Sequence, residues 1–177
     1  EPISNFRELV ERYENLYADK LAFEYKLEPK SKDYIKITYR QFVADIKALG
    51  TKLLQMGLRQ KRVAIIAPNR YEWCVSYLAV TTSDMIVVPL DKSLPANELE
   101  SLIKRSEAEA VIFDKEYIPT FEKLQAEKSS HLSHFICMDT PSTNVNFLCY
   151  SQLIEEGQKL LVAGDTAYNS ITIDNQE

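Results

Sequence analysis

Between Arg62 and Asp114 the chain alternates apolar runs of strand length with segments of helical spacing, and this alternation constrains the fold more than any other feature. Val63-Ala64-Ile65-Ile66-Ala67, Ile86-Val87-Val88-Pro89-Leu90 and Ala110-Val111-Ile112-Phe113 are apolar without polar alternation, as strands covered on both faces must be. Tyr71 to Val80 places Trp73, Tyr77 and Val80 on one helical face, and Leu99, Leu102 and Ile103 mark a second helix. Strands alternating with helices in this way predict an α/β fold, a mainly parallel doubly wound sheet flanked by helices.

The flanks extend that plan. Phe6, Leu9, Val10, Tyr13 and Tyr17 recur at three-to-four spacing, which predicts an amphipathic helix over 5–17 capped by Ser4 or Asn5. Leu21 to Leu27 and Tyr34 to Tyr39, joined by Pro29-Lys30-Ser31-Lys32-Asp33, predict a hairpin, so the sheet carries a small N-terminal helix and hairpin extension. Thr38 with Gln41 three residues on forms a capping-box pattern, and Phe42, Ile46, Leu49 and Leu53 then line a helix that Gly57 ends. Tyr117 to Lys128 is predicted helical with Pro119 tolerated near its start, Phe135 to Met138 a short strand, Asp139 to Asn146 a polar loop, and Ser151 to Val162 a last helix. The polar stretch 165–177 is expected to act as a connector, and the 177 residues as one domain that buries about 70% of its unfolded surface.

A net charge of -5 spread along the chain provides no basic field for nucleic acid. Cys74, Cys137 and Cys149 are odd in number and lack CxxC spacing, which fits reduced, inert thiols and a cytoplasmic location. No apolar run approaches the ~20 residues of a transmembrane helix, and the start lacks the order of a signal peptide. The chain opens at Glu1 without methionine, which suggests an upstream stretch removed or left out.

Parallel sheets bind ligands at the carboxyl ends of their strands. Here those positions offer Pro68-Asn69-Arg70, Asp91-Lys92 and Asp114-Lys115. A phosphate cradle wants glycines and free N–H groups, yet Pro68 lacks a donor and no glycine occurs between Gly57 and Gly157. Pro68-Asn69 is therefore expected to form a turn and helix cap, with Arg70 left as a candidate anion contact. Asp91 and Asp114 fit turn and capping roles better than the acidic site of a phosphoacceptor receiver, whose adjacent acidic pair and lone lysine are missing. His131 and His134 lack further metal ligands nearby and are expected to be solvated, while Trp73 with Tyr77 is expected to pack in the core.

Three phrases in order carry a resemblance: Ile37-Thr38-Tyr39-Arg40-Gln41-Phe42; Arg62-Val63-Ala64-Ile65-Ile66-Ala67-Pro68-Asn69-Arg70-Tyr71-Glu72-Trp73; and Val87-Val88-Pro89-Leu90-Asp91 with Leu94-Pro95 and Glu98-Leu99. Together they resemble the N-terminal portion of the adenylate-forming acyl-CoA synthetases, the AMP-binding superfamily that includes long-chain fatty-acid–CoA ligases. The resemblance implies a parent enzyme that uses ATP and Mg2+ to convert a fatty acid to acyl-AMP and passes the acyl group to coenzyme A. It places the family's Ser/Thr/Gly phosphate loop and its catalytic groups downstream of Glu177. Catalytic, cofactor-binding and metal residues are accordingly expected to be none in this chain, which alone should be inactive and bind no cofactor. A non-catalytic α/β interaction module, or part of an aryl- or amino-acid-activating enzyme, are the alternatives. One departure is Thr81-Thr82-Ser83-Asp84-Met85, where the family has glycines, which puts the turn geometry there in question. A sheet edge left open by the rest of a larger protein would favour self-association.

Overall fold

The computed structural model describes residues 2–28, 30–139 and 146–173. The chain opens with α1 (Phe6–Tyr17), capped by Asn5, whose side chain accepts from Glu8 N at 3.0 Å. The antiparallel pair β1 (Leu21–Tyr25) and β2 (Ile35–Thr38) follows. Thr38 then caps α2 (Tyr39–Gln55) by accepting from Gln41 N. Only half of the capping box forms, because the Gln41 side chain bonds Asp45.

Next come β3 (Arg62–Ile66), α3 (Tyr71–Thr82), β4 (Ile86–Pro89), α4 (Ala96–Ser106), β5 (Ala110–Phe113), a 3-10 turn at Lys115–Tyr117, α5 (Ile118–Glu127), β6 (His134–Cys137), β7 (Leu148–Cys149) and α6 (Tyr150–Val162). The five strands from β3 onward form one parallel sheet in the order β4-β3-β5-β6-β7. The expected doubly wound α/β architecture is present. β7 is an addition that the sequence pattern did not indicate, and most of the expected polar loop before it lies outside the described residues.

Period-two alternation divides the buried strands between two cores. Val63, Ile65, Ala110, Ile112 and Ile136 face α2, α3 and α6, while Ala64, Ile66, Val111, Phe113 and Phe135 face α4 and α5. Along α3 the buried stripe is Val75, Ser76, Ala79, Val80 and Thr82. Trp73 and Tyr77, expected to pack in the core, are half-buried against its edge and stack on each other at 5.3 Å, and the Phe6 ring of α1 meets Tyr77 edge-on. Ser76 and Thr82 tolerate burial because each hydroxyl donates to the carbonyl four residues back.

The glycine-free turn before β4 places Asp84 in the left-handed region at φ 55°. Its carbonyl accepts from Gln60 N at 2.6 Å, and its carboxylate pairs with Arg59 at 2.8 Å. These contacts offset a backbone cost of about 1 kcal/mol. Beyond α6 the chain returns to the body. Tyr168 and Ile171 are buried, and Tyr168 Oη donates to Thr82 Oγ1 at 2.9 Å while Arg7 lies 4.7 Å over its ring.

Candidate functional site

β3 connects through α3 to β4 on one side, and β5 connects through α5 to β6 on the other. The strand order reverses between β3 and β5, and the crevice at their carboxyl ends is where such a sheet takes a ligand. Arg70 fills it. This residue, not Asn69, is the N-cap of α3, with extended backbone and no side-chain capping bond. Asn69 is exposed in a bend, because Pro68 turns the chain one residue too early for its side chain to reach the helix N–H groups. The Arg70 guanidinium binds three carboxylates: Nε to Glu72 at 2.7 Å, Nη1 to Asp114 at 2.5 Å and Nη1 to Asp139 at 3.0 Å. Burial alone would lower its pKa, but the bonds to Glu72, Asp139 and Asp114 outweigh this and raise it, so the group stays charged.

The same carboxylates occupy the backbone donors at the strand ends. Asp114 Oδ1 accepts from Glu116 N at 3.1 Å, and Asp139 Oδ2 accepts from Lys115 N at 3.0 Å. An anion would need those N–H groups. Beside them opens a cleft of about 720 Å³ whose apolar lining is Phe23, Tyr25, Leu27, Tyr71 and Cys74. The Tyr71 ring joins the wall together, meeting Phe23 edge-on at 5.1 Å and stacking with Tyr25 at 6.4 Å. Its hydroxyl donates to Asp45 Oδ2 at 2.8 Å, and burial, then the neighbouring Asp45 charge, pushes the phenol pKa up. Glu24, Glu72, Asp114 and Asp139 outnumber Lys26, Arg70 and Lys115 in the lining, so its formal charge is negative.

Asp91 and His134 lie apart from this crevice. Asp91 accepts from Ser93 N at 2.8 Å in a turn, and that bond lowers its pKa. His134 begins β6, one residue earlier than the expected strand, with Nδ1 2.9 Å from Ser133 Oγ. Among the described residues no group of three or more His, Cys, Asp or Glu side chains is placed to hold a metal ion. Burial raises the pKa of the Cys74 and Cys137 thiols. Asp139 and Asp45 were not visible as partners in the sequence. The available signal for Asp139 was its place just past a strand, matching that of Asp114.

Residues 10–163 match the family model described as AMP-binding enzyme. Long-chain-fatty-acid–CoA ligase 5 of Rattus norvegicus is 32% identical over 111 residues, covering 60% of this chain and 16% of that protein. The 4-hydroxybutyrate–CoA ligase 2 of Metallosphaera sedula is 22% identical over 172 residues, covering 93% of this chain and 30% of that protein. Among solved structures, the anthranilate CoA ligase AuaEII in complex with anthranoyl-AMP superposes with a TM-score of 0.72 at 22% identity, over 85% of this chain and 28% of that one. A long-chain-fatty-acid-CoA ligase (FadD1) from Archaeoglobus fulgidus also gives 0.72, at 16% identity over 88% of this chain and 30% of that one. The chain spans less than a third of the length of the curated relatives it matches. A parallel sheet of this order and a family match over most of the sequence lead to one conclusion: the chain belongs to the AMP-binding enzyme family.

Proposed function

We propose that these residues are the N-terminal structural portion of an AMP-forming acid–thiol ligase. Such an enzyme activates a carboxylate with ATP and Mg2+ to acyl-AMP and transfers the acyl group to coenzyme A. The family match over residues 10–163 carries this proposal. The saturated Arg70 crevice supports its second half, that the chain alone supplies no catalytic, cofactor or metal residue. A long-chain fatty acid is the favoured substrate, on the likeness to the rat ligase. A cytoplasmic location is favoured by cysteines that are odd in number and lack CxxC spacing.

Sequencing the transcript past Glu177 tests the proposal. A Ser/Thr/Gly-rich segment within a few tens of residues is expected, and an in-frame stop directly after Glu177 would overturn it. Self-association of the isolated chain through β4 belongs to the same proposal, since Ile86 on that edge is 51% exposed. A strictly monomeric species in sedimentation at several concentrations would count against it.

A further inference from the structure

Cys137 and Cys149 are register partners on the adjacent parallel strands β6 and β7. Neighbouring strands lie about 4.8 Å apart, inside the Cα separation of roughly 4.4–6.8 Å that a disulfide spans. Register partners point to the same face of a sheet, and two residues earlier on this face the rings of Phe135 and Phe147 stack at 5.9 Å. Side chains from β6 and β7 therefore meet here. Neither sulfur is in a disulfide here.

Their surroundings differ in a way that assigns an order of reaction. Cys137 is fully buried beside Phe113 and Phe135. Cys149 is half-buried and is the N-cap of α6, where the helix N–H groups favour negative charge. The Ser151 hydroxyl lies 3.2 Å from its sulfur. The third cysteine, Cys74, packs against the core on the opposite face of the sheet and cannot substitute for either.

We propose that Cys137 and Cys149 form a reversible disulfide in response to a peroxide, making the β6–β7 edge a redox-modification site. The Cys149 thiolate attacks one peroxide oxygen and breaks the O–O bond, giving a sulfenic acid and, after protonation, one water. The Cys137 sulfur then displaces the sulfenic hydroxyl, which leaves with the Cys137 proton as a second water while the S–S bond forms. Two thiols lose two protons and two electrons, and one peroxide takes them up to become two waters. A dithiol reverses the step by exchange.

The 177-residue chain treated with hydrogen peroxide, then alkylated and mapped by peptide mass, tests this. Two of the three thiols should be lost, with a Cys137–Cys149 linked peptide two hydrogens lighter than its parts and both thiols restored by dithiothreitol. Cys74→Ser should give the same linked peptide, and Cys149→Ser should leave none. Mapping of the unmodified sequence decides the matter even if a variant folds poorly. A linkage through Cys74, a crosslink between chains, oxidation that stops at a sulfur acid, or no thiol loss would each overturn the proposal.

Discussion

Arg70 sits where an α/β sheet ordinarily receives its ligand, and Glu72, Asp114 and Asp139 have taken its place as partners of the crevice. Only 23% of its side chain is exposed. Arg70→Met would leave three carboxylates without their cation, at a cost of about 3 kcal/mol, read as a lower urea midpoint with unchanged slope. Asp139→Asn should cost less, because Arg70 retains two carboxylates and an amide oxygen can still accept from Lys115 N. Asp45 gives a pH-dependent test. Burial raises its pKa, while hydrogen bonds from Tyr71 and Gln41 pull the other way. The folded state thus holds this proton more tightly than the unfolded chain, and stability falls as pH rises from the unfolded to the folded pKa. Asp45→Asn removes that slope, so its stability relative to the parent should climb from about pH 4 upward and then level off. A difference constant across pH would contradict the assignment. The sequence placed Arg70 and Asp114 at strand ends but could not pair them, because their contact depends on strand order, which hydrophobic periodicity does not encode.

At the scale of elements, α2 and α6 cross so closely that a Cβ on Gly157 would run into the Ala48 carbonyl. A Cβ on Gly50 meets only side chains, the Ser83 hydroxyl and the Tyr168 ring. Backbone cannot yield as a hydroxyl can. Gly157→Ala should therefore destabilise by about 3 kcal/mol despite better helix propensity, and Gly50→Ala by about 1 kcal/mol, measured as urea midpoints. At the open edge, Ile86 N donates to Lys61 O and Leu90 N to Ile65 O, at 3.0 and 2.9 Å, so the backbone nitrogens of Val87 and Pro89 are turned away from β3. Pro89 has no N–H, so a second chain joining this edge would meet Val87 N as its donor there. The long elements were legible because Phe42, Ile46, Leu49 and Leu53, or Val63 to Ile66, repeat a period over enough residues to show it. β7 was not, since its two residues are a strand only by pairing with Ile136 and Cys137. Asn69 misled because its residue type suits a cap while the bend at Pro68 moves the cap to Arg70.

The molecule as a whole combines a sheet buried between two apolar cores with a crevice where Arg70 is paired to three carboxylates. Aromatic contacts of Phe23 and Tyr25 with Tyr71 fix the hairpin against the start of α3, and Tyr168 holds the segment after α6 against α3 and α1. On the proposed reading, this scaffold presents strand ends fixed by ion pairs, and the nucleotide chemistry falls to residues outside positions 1–177. ATP–pyrophosphate exchange with Mg2+ and a long-chain fatty acid, measured in parallel on the 177-residue chain and on the product of the whole reading frame, tests this division most directly. The longer product should exchange while the 177-residue chain stays at the buffer blank. Exchange by the 177-residue chain, or none by the longer product, would contradict it.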